Sequence, residues 1–230
     1  MKNNNKKSLI ALNSKITKCK SCSRLVKFRT KIATEKRKMY LKESYWGKPV
    51  SGFGDYNAKL MIIGLAPAAH GGNRTGRVFT GDKSSDFLFE CLGKVGLSNQ
   101  SYSINKKDNL KLKNAYLTLS LKCVPPGDKP TKQELINCSN YLRKELILLN
   151  RVKIIIALGK IAFDSIILFY KNNYEYNTRG VKFIHGDSTK LPDEKTLVSC
   201  YHPSPRNVNT GRINMQKFTK LFSDTTKSLS

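Results

Sequence analysis

The residues that could do chemistry lie in two segments far apart in the chain. "GLAPAAHGGNRTGRVFTGD" (64–82) emerges from the apolar run "KLMIIGL", and "YHPSPRNVNTGR" (201–212) emerges from "TLVSCY". In the first, Gly71, Gly72 and Gly76 let backbone N–H groups approach a ligand closely, and Arg74 and Arg77 are placed to meet phosphates. An ordinary glycine-rich surface turn would look the same, although binding residues concentrate on loops carried by a rigid scaffold. In the second, His202 is one of three histidines and is followed by Pro203 and Pro205 at a predicted strand end. Neither segment contains G-x-x-x-x-G-K-[ST] or a G-x-G-x-x-G that opens a helix, so the two common nucleotide-binding loops are unsupported. Cysteines form a third group. Cys19 and Cys22 make a C-x2-C pair that can present two sulfurs to one metal, and Cys123 and Cys138 make a looser pair. Spacing leaves iron and zinc open. Cys138 also falls on a helical stripe with Leu135, Leu142, Leu146 and Leu149, which by itself reads as core.

These groups need a frame. Four apolar runs of strand type, 59–65, 115–121, 152–159 and 196–201, alternate with helical candidates at 85–97, 132–149, 160–170 and 213–229. Such alternation predicts an α/β fold, a three-layer α/β/α sandwich with a central, mainly parallel four-stranded sheet. In this architecture ligands bind beyond the carboxyl ends of the strands, where both loops fall. The polar segment 171–180 reads as a surface loop, and both termini are expected to fray. At 230 residues with no Pro/Gly/Ser linker, the chain reads as one domain, 1–230. Forty-two Lys plus Arg against sixteen Asp plus Glu give a net charge of +26, which favours a polyanionic partner, although genomic base bias yields a similar composition. The longest apolar stretch is interrupted by Lys160 and Asp164, and the N-terminus has no continuous apolar segment. A membrane is therefore not expected, and the cysteines read as cytoplasmic thiols or metal ligands rather than disulfides.

Taken together, "CKSC" (19–22), "WGKPVSGFGD" (46–55), the 64–82 segment, "LKCVPPGDKPT" (121–131) and "HPSP" resemble the uracil-DNA glycosylase superfamily, specifically its type-5 (B-type) group. The resemblance implies a monomeric DNA-repair hydrolase that flips uracil or another deaminated base out of DNA, cuts the N-glycosidic bond and leaves an abasic site. It implies that Phe79 stacks on the base and that His202 donates toward a uracil carbonyl oxygen, where negative charge develops. Ala66 and Asp128 would line the base pocket. Ala66 stands where the wider superfamily carries an Asp or Asn that positions water, a departure typical of the type-5 group. That shifts the role to Asp82, which equally fits a helix cap. Asp128 stands where relatives often carry Asn. Arg206, where several relatives place an apolar wedge, would fill the vacated stack or hold a phosphate, and Arg212 would join it on the DNA. The resemblance further implies that Cys19, Cys22, Cys123 and Cys138 hold a structural [4Fe-4S] cluster, with Cys91 and Cys200 left as buried thiols. The rival class is a non-catalytic, metal-stabilised nucleic-acid-binding protein, suggested by Ala66; a mere binder has no need of Phe79 together with His202.

Overall fold

Apolar side chains that alternate along buried strands point to opposite faces of a sheet, and both faces then need helices. The computed structural model, which describes residues 2–229, is built this way. In chain order it runs α1 (Lys2–Thr17), α2 (Ser23–Glu35), β1 (Phe53–Gly54), β2 (Leu60–Gly64), α3 (Gly72–Thr75), α4 (Lys83–Lys94) and β3 (Ala115–Leu119). It continues with α5 (Lys132–Leu148), β4 (Ile154–Leu158), α6 (Lys160–Tyr174), β5 (Ser188–Lys190), β6 (Thr196–Cys200), α7 (Pro205–Asn209) and α8 (Met215–Lys227). The strands form one sheet in the order β1-β3-β2-β4-β6-β5.

Leu60, Ile62, Leu117, Leu119, Ile154 and Ile156 point to one face, where α4 and α8 cover them with Leu88, Phe89, Phe218 and Phe222. Met61, Ile63, Tyr116, Ile155 and Leu197 point to the other, covered by α1, α5 and α6. The four expected strands are present and mutually parallel. The sheet, however, is mixed and six-stranded, because β1 and β5 add short antiparallel edges. The N-terminal segment expected to fray is helix α1, anchored by buried Leu9, Leu12 and Ile16. The first part of the polar segment 171–180 extends α6 to Tyr174. Among the described residues no helix is long and apolar enough to cross a membrane.

The parallel strands all end on the same side. The 64–82 loop, residues 119–131, the Gly159–Lys160 junction and the 201–212 loop meet there.

Candidate active site

The chain leaving β2 must turn sharply around an aromatic ring. Phe79 has φ +47, a left-handed conformation unusual for an aromatic residue, and only 8% of its surface is exposed. Gly64 makes the room, since a Cβ there would stand 2.6 Å from Phe79 Cζ. The ring is thereby fixed in the wall of a cavity of about 430 Å³ that Ala66, Asp82, Asp128 and His202 also line.

Asp82 is the N-cap of α4. Its Oδ1 accepts from the backbone N–H groups of Ser84 and Ser85, each at 3.0 Å, and the Ser85 side chain answers at the Asp82 N–H, completing a capping box. Oδ2 takes no part in the cap and faces Gly71, where any Cβ would collide with it. Oδ1 therefore anchors the helix, Oδ2 takes no hydrogen bond from the cap, and the Asp82 side chain lines the cavity. Burial raises the Asp82 carboxyl above its ordinary range, opposed by the Ser85 and Ser84 N–H groups.

His202 leaves β6 in a backbone held by its own carbonyl, which accepts from Ser204 N and from Asn207 Nδ2, both at 2.8 Å. Ser204 in turn caps α7. Burial pushes the His202 ring down to about 4, so at neutral pH it is an uncharged imidazole that can offer one N–H. Asp128 sits at φ +55, just after Gly127 at φ +58, and its exposed side chain lies at the rim of the cavity.

The arginines divide. Arg77 does not reach toward a phosphate: only 5% exposed, it donates from Nε to Thr80 Oγ1 and from its two terminal nitrogens to Ser103 Oγ and both oxygens of Asp108. Burial alone would raise the Asp108 carboxyl, but Arg77 and the N–H groups of Ile104, Leu110 and Asn105 hold it well below the usual range. Arg74 is a clamp as well. It lies 3.9 Å over the Tyr40 ring, pairs with Glu43, and donates to the carbonyls of His70 at 2.6 Å and Gly81 at 3.1 Å. Sequence alone placed both arginines on the surface; structurally, both are struts of the 64–82 loop. Arg206 and Arg212 are exposed beside the cavity mouth, Arg212 at 6.0 Å from the Tyr201 ring centroid.

Sequence reasoning overlooked the third wall. Leu158, Gly159, Lys160 and Ile161 line the cavity from the β4–α6 junction, and Pro67, Ser84 and Ser204 complete it. The signal was available: "IIIALG" ends a buried strand on a glycine, which has φ +94.

An aromatic wall, a neutral imidazole and a carboxylate oxygen thus converge on a largely apolar cavity. The set suits a flat heterocycle whose leaving group gathers negative charge. The uracil DNA glycosylase superfamily model matches residues 51–226. This chain belongs to that superfamily. It is 40% identical over 209 residues to the type-5 uracil-DNA glycosylase of Pyrobaculum aerophilum, covering 91% of this chain and 88% of the relative. Identity to the type-5 enzyme of Thermus thermophilus is 40% over 207 residues, 90% of this chain and 92% of the relative. For that of Mycobacterium leprae it is 39% over 221 residues, 96% and 95%. These relatives place the chain in the type-5 group.

Behind the cavity, Cys19, Cys22, Cys123 and Cys138 line a separate small void of about 20 Å³ with Leu25 and Lys122. Lys122 N donates to Cys138 Sγ at 3.3 Å and Asn137 Nδ2 to Cys22 Sγ at 3.5 Å. Among the described residues, no three His, Cys, Asp or Glu side chains are gathered around one point as a single metal ion requires. Cys91 and Cys200 are buried elsewhere, in the sheet core. Residues 119–123 tie the two voids together, since Leu119 lines the larger and Lys122 and Cys123 the smaller. Between them Lys122 Nζ is sealed in a buried pair, donating to Glu145 Oε2 at 2.7 Å and to Thr118 Oγ1 at 2.6 Å.

Proposed function

We propose that the chain is a monofunctional uracil-DNA glycosylase of base-excision repair, acting on uracil and other deaminated bases in DNA. The observation that carries this is the convergence of Phe79, Asp82 and His202 on one cavity at the carboxyl ends of the parallel strands. The flipped base enters the cavity and lies against Phe79. As the N-glycosidic bond lengthens, the neutral His202 N–H donates to the uracil carbonyl oxygen that gathers charge. Asp82 holds the attacking water and stands beside the cationic sugar. The bond to uracil N1 breaks with its electron pair, the water oxygen bonds to C1′ and gives one proton to the Asp82 carboxylate, and the uracil anion takes up a proton from solvent, to which Asp82 returns the one it took. The exposed Arg206 and Arg212 hold the strand outside, with Asp128 at the rim.

The four cysteines around the smaller void are the residues that would hold a [4Fe-4S] cluster. An all-sulfur set receiving N–H donors fits it. When bound, the cluster would cross-link α2, α5 and the 119–123 segment. Anaerobically purified protein is expected to be brown, and Cys19→Ser, Cys22→Ser, Cys123→Ser and Cys138→Ser each to bleach and destabilise it, while Cys91→Ser and Cys200→Ser keep the colour. Stoichiometric zinc without iron would overturn the assignment.

The function itself is tested with oligonucleotides carrying uracil, hypoxanthine, a thymine mismatch or normal bases. Release of free uracil with an alkali-labile site is expected. Binding without release of any base would favour a non-catalytic nucleic-acid-binding protein.

A further inference from the structure

A second cavity, of about 490 Å³, opens between α5 and α6. It shares Asp128 and Ile161 with the base cavity, and both are exposed, so the two join at their mouths and not through their floors. A strand that runs along this shared rim while its flipped base occupies one mouth brings a neighbouring nucleotide to the other. The second cavity has the makings of a base site. Leu168, Ile136 and Phe169 give it apolar walls, the first two left 38% and 41% exposed. Ser120, only 2% exposed, lies beneath its floor with its Oγ sealed from the cavity. At the rim Lys129 and Arg143 are exposed and without a carboxylate partner among the described residues, whereas Asp164 is already paired with Lys160 at 2.6 Å.

Building on the glycosylase reading, we propose that this cavity is a second nucleotide subsite, which takes the base of a residue flanking uracil in the same DNA strand. The flanking base lies against Leu168 and Ile136, and its phosphate lies near Lys129 and Arg143. Recognition by apolar walls favours no particular sequence.

The test uses an oligonucleotide with 2′-fluorodeoxyuridine, which resists cleavage, and with each flanking base in turn replaced by an abasic spacer or by 2-aminopurine. In the wild-type protein, removing the flanking base on one side is expected to weaken binding about ten-fold, and 2-aminopurine on that side to change fluorescence on binding. Leu168→Glu, at an exposed helix position, is expected to abolish both effects. Equal sensitivity of wild type and Leu168→Glu to the spacer would overturn the subsite. So would binding of free dAMP, seen at the Leu168 methyls by NMR, without any flanking-base effect. Release of uracil by the wild-type protein, measured in parallel, separates failure of the subsite from failure of the glycosylase reading.

Discussion

The two loops at the mouth of the base cavity are built on opposite plans. The 64–82 loop is braced from within. Its two arginines are spent on its own carbonyls and on Asp108, Thr80 and Ser103, and its aromatic residue is locked by a missing Cβ at Gly64. The 201–212 loop is braced through its backbone, by Asn207 and Ser204 on the His202 carbonyl and by the short helix α7, and it turns its arginines outward. One loop spends its cations on itself, and the other leaves them to solvent. Charge type alone does not say which arginine does which; burial does.

Variants that separate these plans differ in size of effect. Asp82→Asn comes first. Asn caps a helix about as well as Asp, so α4 should be intact while single-turnover base release slows by about 10²- to 10⁴-fold. Wild-type rates in this variant would reduce Asp82 to a cap. Next, Arg77→Met should strip Asp108 of its partner and cost about 3–5 kcal/mol in urea unfolding, the range for breaking one side of a buried pair. A loss of DNA affinity with unchanged stability would return Arg77 to the DNA surface.

His202→Ala should slow base release by about 10²- to 10³-fold with little change in DNA affinity. It should also alter the stability profile. The unfolded chain binds a proton at this histidine near pH 6.5, whereas the folded chain refuses it until about pH 4. The wild-type protein therefore loses stability as pH falls through that window, by up to about 3 kcal/mol, and is stabilised as pH rises. His70 and His185 are also shifted down, so the measurement is the difference between wild-type and variant unfolding at pH 7 and pH 4.5. A variant that retained the full wild-type slope would show that the His202 ring is open to water. The smallest effect belongs to the outward arginines. Arg206→Gln should leave stability unchanged and lower the slope of log K against log salt by about one. An unchanged slope would detach the 201–212 loop from the phosphates.

The four buried strands were legible because burial on both faces writes them as unbroken apolar runs. The edge strands were not. Phe53–Gly54 and Ser188–Lys190 are too short to show a period, and β5 is largely exposed. Helix α1 hid behind its Asn/Lys-rich start, although Leu9, Leu12 and Ile16 carry the spacing of one helical face. In the site, Phe79, Asp82, Asp128 and His202 were legible through the motifs that resemble the glycosylase superfamily, and all four line one cavity. Arg77 misled because its partner, Asp108, lies 31 residues away, and nothing local announces a buried ion pair. The wall from Gly159 to Ile161 was missed because a glycine and a lysine opening a helix carry no chemistry by type.

The five residues from Leu119 to Cys123 give this molecule a lever. One end lines the base cavity, the other reaches the cysteines, and the fulcrum is the sealed Lys122–Glu145 pair, which cannot slide without stranding a charge. A disturbance at the sulfurs is therefore not absorbed by a soft loop along the way. Ala66 packs against the Leu25–Leu121–Cys138 cluster while lining the base cavity, so the two voids share a wall. Oxidative injury at the cysteines would therefore loosen the fold and the seat of the base together, rather than spare one while it spoils the other.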